Sequence, residues 1–265
     1  MEKRKLVFSM KTVNKSIIVT NDDGYKNTGL EVLKNIAKKM SNNVWVVAPE
    51  ENQSAKSHSI TINKPIKVKK IKNKEFIVKG TPVDCVIIAL KKIISKKNPP
   101  YLLLSGINDG VNMGLDSYYS GTISAAREGS FNGIKSVALS IEKNKKKKNW
   151  QIIELYLPKI LKRILAFELT SSSYFNINFP NIQTSKIKGL KFVKPGKRKP
   201  GTLILQNKKK TMNLFTIPSA RKMHKSAKKN IDEYELKKGY IVISIYTLET
   251  SVNSFKIISN KDILG

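Results

Sequence analysis

Two adjacent carboxylates, Asp22 and Asp23, are the residues of this chain best placed to do chemistry. They directly follow an apolar, β-branched run at 17–19, of the kind that forms a buried parallel strand. Such a strand delivers both acid groups to the rim of a sheet. Neighbouring carboxylates repel each other, and both stay ionised most easily with a cation between them. The pair therefore predicts a divalent-metal site, although the run 21–24 also has the composition of a simple turn.

Two further polar segments, 52–54 and 105–116, follow predicted parallel strands in the same way. Ligands of open α/β sheets bind outside the carboxyl ends of the strands, so we expect these segments and Asp22–Asp23 to form one site. Ser54 would add a hydroxyl oxygen and Asn108 an amide oxygen to the two carboxylates. Because such ligands are all oxygens, they suit Mg²⁺, Mn²⁺ or Ca²⁺ and argue against structural zinc.

A fourth segment, Ser120, Gly121 and Thr122, begins a predicted helix. The free N–H groups at a helix N-terminus bind anions, and the two hydroxyls could assist. The alternative is that Ser120 and Thr122 only cap the helix. A hard metal ion beside an anion site indicates phosphate chemistry.

The elements that position these residues alternate between strands and helices. A strand, a helix beginning with a capping box at Thr28 and Glu31, and a second strand at 44–48 form a βαβ unit, which implies a parallel sheet. Further strands are expected at 101–104, 137–140 and 175–179, and a helix interrupted or begun at Pro158 is expected over 150–167. We therefore predict an α/β core over residues 1–183.

The pattern changes after this core. From residue 184 to 265 short predicted strands alternate with Lys, Gly and Pro, ending in a long strand at 240–248 and a weak one at 254–258. A β-rich extension of this kind commonly packs against a partner subunit, so 184–265 is predicted to be an oligomerisation element.

Composition limits the possible functions. No apolar run is long enough to span a membrane and no secretory signal is evident, while the single cysteine, Cys85, fits a reducing cytoplasm. The net charge of +31 keeps nucleic-acid binding without phosphatase activity open as the main alternative. However, the lysines are spread along the whole chain, which favours a general bias and only non-specific attraction of nucleic acid. A dinucleotide-dependent oxidoreductase is disfavoured because Asp22 and Asp23 occupy the place of the glycine-rich fingerprint.

Several motifs together resemble the SurE family, the survival protein SurE or 5′/3′-nucleotidase. They occur in the family's order over residues 17–140, and the segment 239–244 resembles the family's closing strand. The motifs are Asn21-Asp22-Asp23-Gly24, Gln53-Ser54 with Ser59-Ile60-Thr61, Gly80-Thr81-Pro82-Val83-Asp84, Ser105-Gly106-Ile107-Asn108 and Tyr119-Ser120-Gly121-Thr122.

The resemblance implies a Rossmann-like, three-layer fold and a metal-dependent phosphomonoesterase that hydrolyses nucleoside 5′-monophosphates, with 3′-monophosphates an open possibility. The cofactor would be Mg²⁺ or Mn²⁺, and the assembly a homodimer or homotetramer. One departure is Ala55, where the family usually has glycine. The implied metal ligands are Asp22, Asp23, Ser54 and Asn108, the implied catalytic residues Asp22, Asp23 and Asn108, and the implied phosphate contacts Asn112, Ser120, Gly121 and Thr122.

Overall fold

The structure, a computed structural model, describes residues 15–143, 148–167, 173–201, 203–209, 212–218, 224–225 and 227–247. Its centre is a nine-stranded, mostly parallel sheet with helices on both faces, which confirms the predicted α/β class. The strands of this sheet are β1 (Ser16–Thr20), β2 (Val44–Pro49), β3 (Val68–Lys72), β4 (Glu75–Val78), β5 (Pro100–Asp109), β6 (Lys135–Ile141), β7 (Ser173–Phe179), β8 (Leu190–Phe192) and β11 (Ile241–Thr247).

Within the described residues, the remaining elements are five α-helices, two short 3₁₀ helices (Gly114–Tyr118 and Thr184–Lys186) and a hairpin. Strands β9 (Leu205–Lys209) and β10 (Met212–Thr216) form the antiparallel hairpin, which lies outside the nine-stranded sheet. The helices are α1 (Thr28–Met40), α2 (Pro82–Ile88, continued by a π-helical turn, Ala89–Ile93), α3 (Gly121–Phe131), α4 (Trp150–Ala166) and α5 (Asp232–Lys237). Among the described residues, no helix combines the length and the apolar character needed to cross a bilayer.

The order of the strands decides which loops can meet. The sheet runs β3-β4-β2-β1-β5-β6-β7-β11-β8, and the six strands from β4 to β7 are mutually parallel. Strand β11 is antiparallel to β7. Because β1 lies between β2 and β5, the segments that follow these three strands leave the same edge of the sheet side by side.

Burial on both faces explains why the middle of the first strand, residues 17–19, is apolar. Ile17 and Val19 pack with α1 and α4 on one face, whereas Ile18 packs with α2 and α3 on the other, and all three are 0% exposed. A strand covered on both sides typically shows an apolar run without alternation. The polar residues that follow Val19 occur where the strand leaves the sheet, at the candidate site.

Three local expectations needed correction. Helix α1 is capped by Asn27, whose Oδ1 accepts the Gly29 N–H at 2.6 Å, so Thr28 is its first residue and not its cap. Helix α4 begins at Trp150 and continues through Pro158. Strand β5 extends to Asp109, five residues beyond the predicted end at Leu104. Helix α2 is capped by Thr81, whose hydroxyl accepts the Asp84 N–H, and the Asp84 carboxylate accepts the Thr81 N–H in return, which completes a capping box.

The C-terminal region contributes to the main sheet as well as to the hairpin. Strands β8 and β11 continue the sheet beyond β7, and α5, which the sequence did not indicate, precedes β11. The weak strand expected at 254–258 lies outside the described residues. The division at residues 183 and 184 therefore stays a prediction.

A buried carboxylate, that of Asp232 at the start of α5, ties this region to the core. It is 0% exposed and accepts the N–H groups of Gly114 at 2.8 Å, Gly196 at 2.9 Å and Glu233 at 2.7 Å. Arg198 adds a second tie, since its guanidinium binds the Asp116 carboxylate. The segment that follows β8 is thus fixed to the loop after β5.

Replacing Asp232 by alanine is expected to lower the free energy of unfolding by about 3 kcal/mol, because buried N–H groups would lose their acceptor. Urea unfolding followed by circular dichroism measures this. Glu31→Ala, at a side chain that is 57% exposed, is the control and should change little. An unchanged unfolding midpoint for Asp232→Ala would show that water replaces the carboxylate.

Candidate active site

The segment that leaves β1 is a tight turn held against the loop after β2. Asn21 donates from Nδ2 to the Gly24 carbonyl at 2.9 Å, and Gly24 has a φ of +95°. A Cβ at Gly24 would lie 3.1 Å from the carbonyl carbon of Glu51. Both the dihedral angle and the close approach favour glycine here. The turn therefore presents Asp22 and Asp23 at a fixed position.

The Asp23 carboxylate joins the loop after β2 to the end of β5. Its Oδ1 accepts from Nδ2 of Asn52 at 3.2 Å, and its Oδ2 accepts the Asp109 N–H at 3.1 Å. Asn52 in turn accepts the Ser54 N–H at 2.9 Å. The three segments expected to share one site therefore meet at a single carboxylate, with Ser54 exposed at its outer rim.

A bulge in β5 brings Asn108 to this point. The register with β6 shifts between Ser105 and Asn108, and a Cβ at Gly106 would lie only 2.4 Å from the carbonyl oxygen of Leu139. Bulges of this kind redirect side chains next to active sites. Asn108 donates from Nδ2 to the Gly110 carbonyl at 2.6 Å, which leaves its Oδ1 as the atom that can bind a ligand.

The Asp22 carboxylate itself occupies the N-terminus of α3. Thr122 donates from Oγ1 to Asp22 Oδ1 at 2.6 Å, and a Cβ at Gly121 would lie 2.8 Å from the Asp22 Cβ. Ser120 acts as a cap, because its Oγ accepts the Ile123 N–H at 3.1 Å. Helix α3 therefore begins where the sequence predicted, but part of its N-terminus already stabilises an acidic side chain of the protein.

The two carboxylates are costly to ionise together. The pKa of Asp22 is raised to about 6, chiefly by burial and then by the charge of Asp23, against the opposing hydrogen bond from Thr122. Burial also raises the pKa of Asp23, while nearby Lys148 and Lys143 lower it. Lys148 lies 2.6 Å from the Asp109 carboxylate. An added positive charge at this edge would favour the ionised pair.

The donor set fits a hard cation. Among the described residues, no three His, Cys, Asp or Glu side chains are arranged to hold a metal, so a metal here needs hydroxyl or amide oxygens as well. Ser54 and Asn108 supply these. This edge of the sheet also holds buried oxygens that have no hydrogen-bond partner within the described part of the protein and could bind a ligand. They are Thr20 Oγ1, Asn21 Oδ1, Ser105 Oγ and Asp109 Oδ1.

Asn112 lies apart from the carboxylates, in the loop between β5 and α3. It is 8% exposed, its N–H donates to Asn178 Oδ1 at 2.8 Å, and its Nδ2 donates to Ser140 Oγ at 3.0 Å. The supporting residue Asn178 was missed by the sequence analysis, as was Lys148. The signal for Asn178 was available, since Asn176-Ile-Asn178 interrupts an otherwise apolar buried strand.

His58, in the loop between β2 and β3, does not contact the carboxylate pair. Its Nε2 lies 3.1 Å from Glu128 Oε2, and its ring lies 5.3 Å from that of Phe131. Glu128 is about 10 Å further along α3 than Gly121, at 1.5 Å of rise per residue. His58 therefore pairs with the far half of α3 and not with Asp22.

Comparison with known proteins adds a family match. A family model described as survival protein SurE matches residues 17–202. A protein named 5′-nucleotidase SurE from Paramagnetospirillum magneticum is 35% identical over 229 residues, which cover 86% of this chain and 88% of that protein. A protein of the same name from Bradyrhizobium diazoefficiens is 35% identical over 245 residues, covering 90% of this chain and 96% of the relative.

A solved structure shares the fold. The crystal structure of the SurE protein from Aquifex aeolicus superposes with a TM-score of 0.79 at 32% identity, covering 89% of this chain and 94% of that one. The likeness therefore extends well beyond the segments that carry the motifs.

Proposed function

Because this chain belongs to the SurE family, we propose that it is a phosphoric monoester hydrolase that releases phosphate from nucleoside 5′-monophosphates with the help of a divalent cation. The relatives' shared name, 5′-nucleotidase, supports the substrate class. The observation that carries the proposal is the Asp23 carboxylate, which links the loop after β2 to the end of β5 directly beside Asp22.

Asp22, Asp23, Ser54 and Asn108 would hold the cation, with Mg²⁺ or Mn²⁺ as the expected ions because every donor is an oxygen. When bound, such an ion neutralises phosphate oxygens and makes a coordinated water more acidic. The unpartnered oxygens at this edge and the raised pKa of Asp22 support the assignment, since a bound cation would give the oxygens a partner and favour the ionised carboxylate.

The phosphate would lie between this edge and the start of α3. Thr122 is committed to Asp22, and Ser120 Oγ to the Ile123 N–H, so the Gly121 N–H at the first helical position is the backbone donor best placed for a phosphate oxygen. Asn112 would contact the phosphate through its carboxamide. These donors would stabilise the charge that develops on the equatorial oxygens during in-line attack by water.

The carboxylates also orient the attacking water. Asp22 is fixed by Thr122 and by its contact with Gly121, and Asp23 by Asn52 and Asp109, so neither oxygen pair is free to rotate. A water that donates to one of these oxygens would be held beside the phosphorus atom. Lys143 and Lys148 raise the local positive potential, which favours an anionic substrate.

The test is a phosphate-release panel on the purified full chain. Nucleoside 5′-monophosphates, a 3′-monophosphate and polyphosphate are each assayed with Mg²⁺, Mn²⁺, Ca²⁺ or EDTA. Release from the 5′-monophosphates with Mg²⁺ or Mn²⁺, and none in EDTA, is the expected result. Full activity after exhaustive EDTA treatment would refute the metal requirement, and no release with any ion would refute the substrate class.

Ala55, which follows the proposed ligand Ser54, has a φ of +60°, a conformation that costs an alanine about 1 kcal/mol. We expect Ala55→Gly to keep full phosphatase activity and to change the free energy of unfolding by less than about 1 kcal/mol, because relief of strain offsets the added freedom of glycine. Ala55→Val should lose both activity and stability. Phosphate release and thermal melting measure this, with Lys56→Val as the control for an added branched side chain.

A homodimer or homotetramer is part of the same proposal, with the β9–β10 hairpin as the contact. Ile204, Met212, Phe215 and Ile217 are each more than 60% exposed, and an isolated hairpin is only marginally stable in water. Phe215→Lys is expected to reduce the mass measured by light scattering, whereas Leu155→Lys on α4 should not.

A reducing cytoplasm is the proposed location, because it fits the buried free thiol of Cys85.

A further inference from the structure

Strand β7 contains two asparagines in the middle of the sheet. Asn176 is 0% exposed and Asn178 is 1% exposed, and they alternate with the buried residues Phe175, Ile177 and Phe179. Alternate residues of a strand face the same side, so both amides point to one face. A buried amide is unfavourable unless it is hydrogen-bonded, and two on one face therefore need specific partners.

Both side chains bind the same peptide unit, that of Asn112. Asn178 accepts the Asn112 N–H at 2.8 Å and donates from Nδ2 to the Asn112 carbonyl at 3.0 Å. Asn176 donates to that carbonyl at 2.8 Å. The side chain of Asn178 thus pairs with the backbone of Asn112 as a neighbouring strand would, across 66 residues of sequence.

The carboxamide of Asn112 is held in the same way by β6. Its Nδ2 donates to Ser140 Oγ at 3.0 Å, and Ser140 is paired in register with Asn178. The other proposed phosphate contacts, Ser120, Gly121 and Thr122, are the cap and the first residues of α3, whereas Asn112 lies earlier, in the loop between β5 and α3. Its direction is therefore decided by residues on two strands that do not themselves meet the substrate.

We propose that Asn176 and Asn178 are positioning residues for phosphate ester hydrolysis: by fixing the peptide of Asn112, they aim its carboxamide at the substrate phosphate. The inference rests on the proposed function. It adds to that function two residues that carry no chemistry themselves and that act only through Asn112. Partners that orient a group in contact with the reaction centre are typically worth about 10- to 100-fold in affinity or activity.

Asn178→Asp is the most informative variant. The aspartate has the same shape and keeps an oxygen for the Asn112 N–H, but it places a second oxygen against the Asn112 carbonyl. The KM for a nucleoside 5′-monophosphate and the inhibition constant for inorganic phosphate should both rise by about tenfold or more. A merely structural role would instead reduce the amount of active enzyme, and so kcat, with both constants unchanged.

A double-mutant cycle with Asn112→Ala tests the route. If Asn178 acts through Asn112, Asn178→Asp should have no further effect on either constant once the Asn112 side chain is absent.

Asn176→Ala is a milder variant, for use if Asn178→Asp folds poorly. It leaves the two contacts of Asn178 in place and should raise both constants by a smaller factor. Asn43→Asp is the matched control, because Asn43 is a buried amide that donates to Ser16 Oγ at the opposite edge of the sheet, and it should alter stability without altering KM.

The outcomes separate the two claims. An inactive wild-type protein with every cation would refute the proposed function, and the inference with it. Active wild-type protein, together with unchanged KM and phosphate inhibition in Asn178→Asp and Asn176→Ala, would overturn the inference alone. Equal effects of Asn178→Asp with and without the Asn112 side chain would also overturn it, whereas effects that vanish in Asn112→Ala would support it.

Discussion

Replacing either Asp22 or Asp23 by asparagine is expected to lower the rate of phosphate release by at least about a hundredfold, the upper end of the effect seen for groups that only support a metal ligand. Each change removes one negative charge from the proposed cation site and keeps the shape of the side chain. The fold should survive, since an asparagine oxygen can still accept from Thr122 at position 22 or from Asn52 at position 23.

Stability should move in the opposite direction for Asp22→Asn. The pKa of Asp22 in the folded, metal-free protein is about 6, above its ordinary value of 3.8. The folded state therefore binds this proton more tightly than the unfolded chain does, and in EDTA the wild-type protein should lose stability as the pH rises from about 4 to about 6. Asp22→Asn lacks this titration, so its melting temperature at neutral pH in EDTA should be higher than that of the wild-type protein.

A matched control is available in Glu75. Its carboxylate is also buried and accepts from the Tyr25 hydroxyl at 2.7 Å, but it lies beside α1 and away from the ends of β1 and β5. Hydrogen bonding to Tyr25 and the charges of Lys34 and Lys38 outweigh burial and lower its pKa. Glu75→Gln should therefore reduce stability and leave the phosphatase rate unchanged. Wild-type rates in Asp22→Asn would remove that carboxylate from the mechanism.

The second large effect is expected from Gly121→Ala. A Cβ at this position would lie 2.8 Å from the Asp22 Cβ and 3.1 Å from both Asp22 Oδ2 and Pro82 Cγ. Because the Asp22 backbone is held by the Gln53 N–H at 2.7 Å, the clash must be relieved by moving the carboxylate or the start of α3. Misplacement of a reacting group by about 1 Å can cost about a hundredfold in rate. Phosphate release should fall by tenfold to a hundredfold.

Ser124→Ala provides the comparison on the same helix. It removes a buried hydrogen bond from Ser124 Oγ to the Ser120 carbonyl at 2.7 Å but adds no atom near Asp22. We expect a small loss of stability and an unchanged rate. If Gly121→Ala also kept the wild-type rate, the packing between α3 and Asp22 would be irrelevant to catalysis.

The main features of the fold could be predicted from local patterns. The apolar run before Asp22 is buried on both faces, and α2 begins at Pro82 directly after the cap Thr81, whose partner Asp84 lies only three residues away. The cap of α1 was misplaced by one residue, since Asn27 and Thr28 are both good caps and only the backbone conformation decides between them. The extension of β5 to Asp109 depends on the close packing of Gly106 against Leu139, which no local pattern reveals.

For the candidate site too, some features were predictable from the sequence and others were not. Residue types and strand ends were enough to predict that three loops would converge, because the geometry of parallel sheets requires it. The partners within the site were not predictable. Asn52 and Asp109 bind the Asp23 carboxylate across 29 and 86 residues of sequence. The hydrogen bond from Thr122 on α3 to Asp22 spans 100 residues. Such contacts follow from the tertiary packing and not from spacing along the chain.

Binding of Mn²⁺, followed by electron paramagnetic resonance of the free ion, tests the central claim most directly. The metal-free wild-type protein should bind one ion per chain, and Asp23→Asn, Ser54→Ala and Asn108→Ala should each weaken that binding by about tenfold or more. Glu75→Gln should bind as the wild-type protein does. Equal affinity in all four variants would contradict the account, because the three loops would then not hold a cation between them.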